Sequence, residues 1–236
     1  MGSYIEIPVS KEGRMPAYLV EASGRDARPG IVVLQEIFGV NANMRQTAEV
    51  FATLGYDVIV PDLFWRQEPR IELDPSSPAD RARAMTLKAG LDEECAVQDA
   101  LAAVAHLQRS GRASGRAGAV GYCLGGKLAY LLATHAELSA AVSYYGVAIH
   151  GALDRAAALC APLLVHIATN DDLCPPAAQK AIHDALGPRP NVQIIDHAAV
   201  GHAFARRGST AFRSEAAERA DSATAAFLTR HLKAPK

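Results

Sequence analysis

Gly121-Tyr122-Cys123-Leu124-Gly125 sets a cysteine between two glycines, after an apolar run and before a helical one. In a G-x-C-x-G turn of this kind the glycines remove Cβ atoms where strand and helix approach closely, and the sharp turn lifts the nucleophile above the sheet. The helix N-terminus behind it favours a thiolate and leaves backbone N–H groups for an oxyanion. The pattern occurs once in the chain, and G-x-S-x-G does not occur. The plain alternative is a small buried cysteine in a tight strand–helix turn. Gly121, Gly126 and Lys127 also fit a G-x-x-x-x-G-K phosphate loop, but Leu128 stands where a Mg²⁺-binding Ser or Thr is required, and an apolar side chain cannot ligate a metal.

Such an elbow needs an acid and then a histidine downstream. Asp171 lies just past an apolar run that ends near Ala168, with Asp172 as its immediate rival; either could be a loop or cap residue. Among eight histidines, His202 lies in a loop before the last helix, and His197 follows the preceding strand more tightly. The chain order Cys123, Asp171, His202 favours His202. In that arrangement the sulfur attacks a carbonyl, the histidine moves the proton, and the carboxylate holds the imidazole tautomer.

The elements that must position these residues alternate. Tyr4–Val9 and Ala17–Glu21 read as a hairpin around Ser10-Lys-Glu-Gly13. Ile31–Leu34, Val58–Val60, Ala117–Val120, Ala140–Tyr145, Leu163–Ala168 and Val192–Ile195 are short continuous apolar runs, as strands buried on both faces should be. Between them, Met44, Ala48, Phe51 and Leu54, then Val97, Leu101, Val104 and Leu107, recur at helical spacing, stopped by Gly55 and Gly111. Leu124–Thr134, Ala177–Leu186 and Ala211–Leu232 also read as helices, the last with Ala216, Ala220, Phe227 and Leu228 as its apolar positions. This alternation predicts an α/β domain, a mostly parallel sheet with helices on both faces. Phe64 to Gly90, with prolines at 69, 75 and 78, reads as an insertion across the top of the sheet, so one domain spanning residues 1–236 is expected.

Four segments together resemble the dienelactone hydrolase (carboxymethylenebutenolidase) family: Gln35-Glu36-Ile37-Phe38-Gly39, the Gly121–Gly126 elbow, Tyr144-Tyr145-Gly146, and Gly201-His202-Ala203-Phe204-Ala205-Arg206. The resemblance runs from about residue 4 to about residue 230. It implies the α/β-hydrolase fold with eight strands, a triad of Cys123, Asp171 and His202, and oxyanion donors at the backbone of Leu124 and Ile37. It implies that Glu36 keeps the thiol protonated until substrate turns it away; the bland reading of Glu36 is a loop cap. Arg81 and Arg206 match two arginines that hold a substrate carboxylate, a task suited to a planar fork; Arg83 is a rival to Arg81. The implied reaction opens dienelactone (4-carboxymethylenebut-2-en-4-olide) to maleylacetate through a thioester acyl-enzyme, with no cofactor. Met85, Lys88 and Ala203 depart from the family pattern at the substrate end of the pocket, so a related hydrolase of another small anionic ester or lactone is the alternative. A non-catalytic binding protein on the same scaffold is a third reading, opposed by the intact triad.

Composition narrows the partners. The 236 residues carry 24 Lys and Arg against 25 Asp and Glu, a formal charge of −1 that leaves no basic footprint for nucleic acid. No apolar stretch reaches the ~18 residues of a membrane span, and the N-terminus lacks a basic region followed by an apolar run. Met1-Gly2 opens like a myristoylation signal, but Glu6 stands where Ser or Thr is needed. Cysteines 95, 123, 160 and 174 form no CxxC pair, as expected of reduced thiols in a cytoplasmic protein; Cys174 reads as packing. No metal-ligand spacing occurs. A small anionic substrate and a monomer are expected, with no nucleic acid or membrane partner.

Overall fold

The computed structural model describes residues 2–9, 13–24, 26–110 and 113–233. It contains β1 (Ser3–Val9), β2 (Gly13–Val20), β3 (Arg28–Leu34), α1 (Ala42–Thr53), β4 (Asp57–Pro61), α2 (Pro78–Ala89), α3 (Glu93–Arg109), β5 (Ala113–Tyr122), α4 (Leu124–Leu132), β6 (Ala140–Tyr144), β7 (Leu163–Ala168), α5 (Pro176–Leu186), β8 (Val192–His197) and α6 (Ser214–Leu228). The strands form one eight-stranded sheet in the order β1-β2-β4-β3-β5-β6-β7-β8. β1 and β2 pair antiparallel, as do β2 and β4; β3–β4, β6–β7 and β7–β8 pair parallel. The α/β reading and the mostly parallel eight-stranded sheet both hold. The turn expected at Ser10-Lys-Glu lies outside the described residues, though Val9 and Gly13 face each other in register. The Gly111 helix stop also lies outside them.

The chain divides into two compact units, Met1–Gly118 and Ala119–Lys236. In the first, β3 and β4 are buried throughout, which is why their residues read as unbroken apolar runs rather than alternating ones. α1 starts where the Asn41 side chain accepts from the Met44 N–H at 3.2 Å, a cap contributing about 1 kcal/mol. Met44, Ala48 and Phe51 form its buried face; Leu54, expected on that face, caps the helix and is 43% exposed. α3 starts at Asp92, whose side chain accepts from the Cys95 N–H, and places Glu93 and Glu94 against the positive end of its dipole.

The segment Phe64 to Gly90 contains a helix that periodicity does not reveal. Ser77 caps α2 by accepting from Asp80 N–H, Pro78 occupies its first turn, and Gly90 ends it. Ahead of α2, the buried Asp62 carboxylate binds the Phe64 and Arg70 N–H groups at 3.1 and 2.5 Å and so shapes the loop. Desolvation outweighs those bonds and pushes this carboxyl up to about 6.

In the second unit β6 and β7 are fully buried, and β8 lies at the end of the sheet order with only His197 buried. A 3₁₀ segment, Ile149–Ala158, follows β6 and was not anticipated. α6 begins at Ser214 and ends in a π-helical turn, Thr229–Lys233. Its buried face is Ala217, Ala220, Thr224, Phe227 and Leu228, so the position assigned to Ala216 belongs to Ala217, and a polar residue, Thr224, joins the core.

Candidate active site

β5 runs into α4 through Cys123, which sits at φ 56°, ψ −112° with no side-chain cap on the helix behind it. The conformation is enforced by its neighbours. Cys123 N–H bonds the Tyr144 carbonyl at 3.1 Å, and the Cys123 carbonyl accepts from Gly126 N–H at 3.0 Å and Val147 N–H at 3.2 Å. A Cβ on Gly121 would lie 1.8 Å from the Gly125 carbonyl oxygen, and one on Gly126 would lie 2.7 Å from the Gly146 Cα. Gly121 is therefore needed for β5 and α4 to meet, and Gly126 for α4 to pass the end of β6. Gly121→Ala is expected to destabilise the fold by about 3 kcal/mol, because the obstructing atom is backbone and cannot swing aside. Equilibrium urea unfolding tests this, and a wild-type midpoint contradicts it.

Asp171 leaves the end of β7 and is 3% exposed, whereas Asp172 is exposed. The Asp171 carboxylate is held at both oxygens: Oδ1 accepts from the Leu173 N–H at 2.8 Å, and Oδ2 bonds Nδ1 of His202 at 2.7 Å. Asp171, and not the exposed Asp172, thus meets His202. The Asx turn that fixes it, a side chain accepting from the backbone two residues on, is a signal that the spacing Asp171-x-Leu173 permits.

His202 lies in the loop after β8. Burial pulls its imidazole down, but the hydrogen bond to Asp171 and the neighbouring Cys123 sulfur together raise it to about 10. Its Nε2 is buried without a hydrogen-bond partner, and the Cys123 sulfur acts on the imidazole as a polar and electrostatic neighbour. The Tyr145 ring stands edge-on to His202 at 5.1 Å and to Phe204 at 5.5 Å. Tyr145 belongs to a segment noted for its resemblance, but its contact with the histidine is not visible in the sequence. The rival His197 is buried elsewhere, bonded to His166 at 3.0 Å.

Among the described residues, six non-glycine residues have positive φ, and five of them cluster in this unit: Cys123, Tyr145, Ala148, Ala199 and Ala203. Each costs of order 1–3 kcal/mol, strain that persists only where the surroundings over-determine it. They flank the loops carrying Cys123 and His202. Cys174 donates its N–H to the Asp171 carbonyl at 3.0 Å; burial, then the Asp171 charge, pushes its thiol up to about 11.

Leu124 is the first residue of α4 and is buried. Arg206 sits in the His202 loop, half-buried, with its N–H on the Ala203 carbonyl at 2.9 Å. Glu36, Ile37 and Arg81 belong to the first unit. Glu36 is 2% exposed, just past β3, next to Gln35, whose side chain accepts from Leu63 N–H and donates to the Glu36 carbonyl. Arg81 is exposed on α2, with Nη1 on the Pro75 carbonyl at 3.4 Å, and Arg83 pairs with Glu68. Among the described residues no group of three or more His, Cys, Asp or Glu could hold a metal ion, and no helix is long and apolar enough to cross a membrane.

Residues 15–232 match the model of the dienelactone hydrolase family. The chain belongs to that family. Within it, a carboxymethylenebutenolidase of Pseudomonas putida is 36% identical over 219 residues, covering 93% of each chain. Carboxymethylenebutenolidase 1 of Cupriavidus pinatubonensis is 34% identical over 224 residues, covering 95% of each. Among solved structures, a dienelactone hydrolase from Anabaena variabilis superimposes with a TM-score of 0.70 at 16% identity, covering 98% of both chains. A dienelactone hydrolase-like promiscuous phosphotriesterase from metagenomic libraries does so with a TM-score of 0.80 at 20% identity, again over 98% of both. At these identities the structural matches establish the fold, which is that of the α/β-hydrolases. This family member is a hydrolase.

Proposed function

We propose that the protein opens dienelactone to maleylacetate through Cys123, His202 and Asp171. The observation that carries the reading is the 2.7 Å bond from His202 Nδ1 to a buried carboxylate, with the Cys123 sulfur, at a strained strand–helix turn, acting on the same imidazole. The names borne by relatives 34–36% identical supply the substrate class.

The Cys123 thiol passes its proton to His202 Nε2 as the sulfur attacks, while Asp171 holds the ring at Nδ1 and stabilises the imidazolium that forms. The sulfur bonds to the lactone carbonyl carbon, and the carbonyl oxygen becomes an oxyanion, for which the resemblance implies the Leu124 and Ile37 N–H groups as donors; losing one such donor typically costs about 3–4 kcal/mol of barrier. The ring C–O bond then breaks. The enolate leaves with the His202 proton and tautomerises to the ketone, leaving a thioester on Cys123. Water gives a proton to His202 Nε2 and adds to the thioester, and the thiolate departs. A thiolate is a good leaving group, so this chemistry suits activated enol esters better than amides. The resemblance assigns the substrate carboxylate to Arg81 and Arg206. The reading is that of a single-domain monomer working without a cofactor; its free thiols suit a reducing compartment such as the cytoplasm.

The resemblance implies that Glu36 keeps the thiol protonated in the resting state through like-charge repulsion. Glu36→Gln is then expected to speed alkylation of Cys123 by iodoacetamide several-fold at neutral pH, because the charge that opposes the thiolate is gone. An unchanged rate removes that role from Glu36.

A second reading, hydrolysis of another small anionic ester, is favoured by α2, where Met85 is 54% exposed and Lys88 half-buried. Turnover of cis- and trans-dienelactone, followed by absorbance at neutral pH beside simple aryl acetates, separates the two. Rapid opening of dienelactone supports the first. Turnover of aryl esters alone ends it.

A further inference from the structure

The second unit holds a line of buried polar side chains for which the reaction above has no use. Tyr144 ends β6, His166 lies on β7, and His197 ends β8. Tyr144 and His166 are register partners, and His197 is the partner of Ala168 at the end of β7. All three side chains are at most 1% exposed. Their rings are also in contact, Tyr144 to His166 at 4.5 Å and His166 to His197 at 5.1 Å between centroids.

Their backbones hold the loops of the site. The Tyr144 carbonyl receives Cys123 N–H, and the His166 carbonyl receives Tyr145 N–H at 2.9 Å. The His197 carbonyl receives Thr169 N–H at 3.1 Å, two residues before Asp171, and Asn170 N–H bonds the Val200 carbonyl, two residues before His202. The side chains are joined through α6. His197 Nε2 meets His166 Nδ1 at 3.0 Å, His166 Nε2 meets Thr224 Oγ1 at 3.0 Å, and Thr224 Oγ1 meets the Tyr144 hydroxyl at 2.7 Å. Tyr144 donates to Asp221 Oδ1 at 3.0 Å, and Arg207, on the loop that carries His202, donates to Asp221 Oδ2 at 2.7 Å. The line therefore closes on itself, from the His202 loop through α6, β6 and β7 to β8 and back into that loop.

Hydrogen counting gives the line a direction. A carboxylate only accepts, so the single Tyr144 hydroxyl hydrogen goes to Asp221. The Tyr144 oxygen must then accept from Thr224, and Thr224 must accept from Nε2–H of His166. Burial, then the neighbouring His197, pushes His166 down to about 3, and burial also lowers His197, so both rings are neutral at pH 7. A neutral His166 bearing Nε2–H has a bare Nδ1, which accepts from Nε2–H of His197. The line ends at the bare, buried Nδ1 of His197, which has no hydrogen-bond partner.

We infer that Thr224 and His166 are positioning residues for the hydrolysis: by holding both histidines as Nε2–H tautomers they lock the relative heights of β6, β7 and β8, and with them Cys123, Asp171 and His202. This rests on the assignment of those three residues as the catalytic group. A buried polar network that is satisfied in one direction only specifies one arrangement, which is the property a three-loop site requires.

Thr224→Val keeps shape and volume but breaks the line at its centre. The expected result is a kcat about tenfold lower on an ester the wild type turns over, KM within about twofold, and loss of the Nε2–H signature of His166 in ¹⁵N NMR. Thr224→Ser restores the hydroxyl and is expected to restore both readouts. If the valine variant does not fold, Tyr144→Phe breaks the link to Asp221 and carries the same expectation. A folded Thr224→Val or Tyr144→Phe with wild-type kcat, or a Thr224→Ser as impaired as the valine, overturns the inference. Cys123→Ala, assayed alongside, separates the two levels: if it retains activity the catalytic assignment fails, and if it alone is inactive only the positioning role fails.

Discussion

Cys123→Ala is expected to lower kcat by about 10⁴-fold or more while the fold stays intact. Alanine tolerates the φ of 56° as well as cysteine does, since neither is β-branched, and the backbone bonds to Tyr144, Gly126 and Val147 do not involve the side chain. What disappears is the atom proposed to form the thioester. The proposed oxyanion donors and substrate-binding arginines are unchanged by this substitution, and a residual rate is expected from them. No other thiol of this unit can take over: Cys174 is buried and held near 11, so it stays protonated, and Cys160 is exposed on the far side of β7 in sequence, before the acid-bearing loop. Single-turnover and steady-state assays, with a thermal melt to show folding, check the expectation. A variant within tenfold of wild type places the chemistry elsewhere.

Asp171→Asn is expected to cost about as much, roughly 10⁴-fold in kcat, with KM within about twofold. Leu173 N–H holds Oδ1 at 2.8 Å. In the asparagine variant the amide oxygen keeps that bond, so the NH₂ group faces His202 Nδ1. An NH₂ only donates. It forces Nδ1 bare and the proton onto Nε2, and a histidine with Nε2–H can take no proton from water in the second half of the reaction. His202 also loses a main cause of its rise from 6.5 to about 10. The linkage sign follows: a raised folded-state pKa contributes stability that is complete below pH 6.5 and is lost as pH rises toward 10. The stability difference between wild type and Asp171→Asn should therefore be largest in mild acid and shrink through pH 7 to 10, read from denaturant midpoints. Asp172→Asn is the control. Asp172 is exposed, and its replacement should leave kcat within about twofold. Equal losses in the two variants dismiss Asp171 as the partner of His202.

The elements nearest the chemistry were the most legible. β7 has the limits expected of it, Leu163–Ala168, and α4 starts at Leu124 as the elbow requires. The reason is that a strand buried on both faces must be apolar throughout, and a strand–helix turn this tight admits only glycine at 121. Segments whose order comes from caps and turns were less visible. α2 carries almost no buried face beyond Ala84 and Leu87, so apolar spacing does not reveal it. α6 starts at Ser214 rather than Ala211, and it buries Ala217 rather than Ala216, because alanine follows alanine there and hydropathy cannot tell which of two equal neighbours faces inward.

The sequence by itself determined the fold class, the family resemblance and the chain order of the candidate residues Cys123, Asp171 and His202, because these depend on local pattern and spacing. Only the tertiary structure shows that Asp171 rather than Asp172 meets an imidazole, and that this imidazole is His202 rather than His197. Adjacent residues of the same type differ only in where the folded backbone aims them. One carboxylate meets an imidazole 31 positions away at 2.7 Å, and the other faces water. The line from Asp221 to His197 is likewise a product of folding. Its members come from β6, β7, β8 and α6, up to 80 residues apart, and each would read in isolation as an ordinary core or helix residue. Hydrogen-bond direction is set by which donors and acceptors the sheet and helix bring together, and no spacing along the chain encodes that.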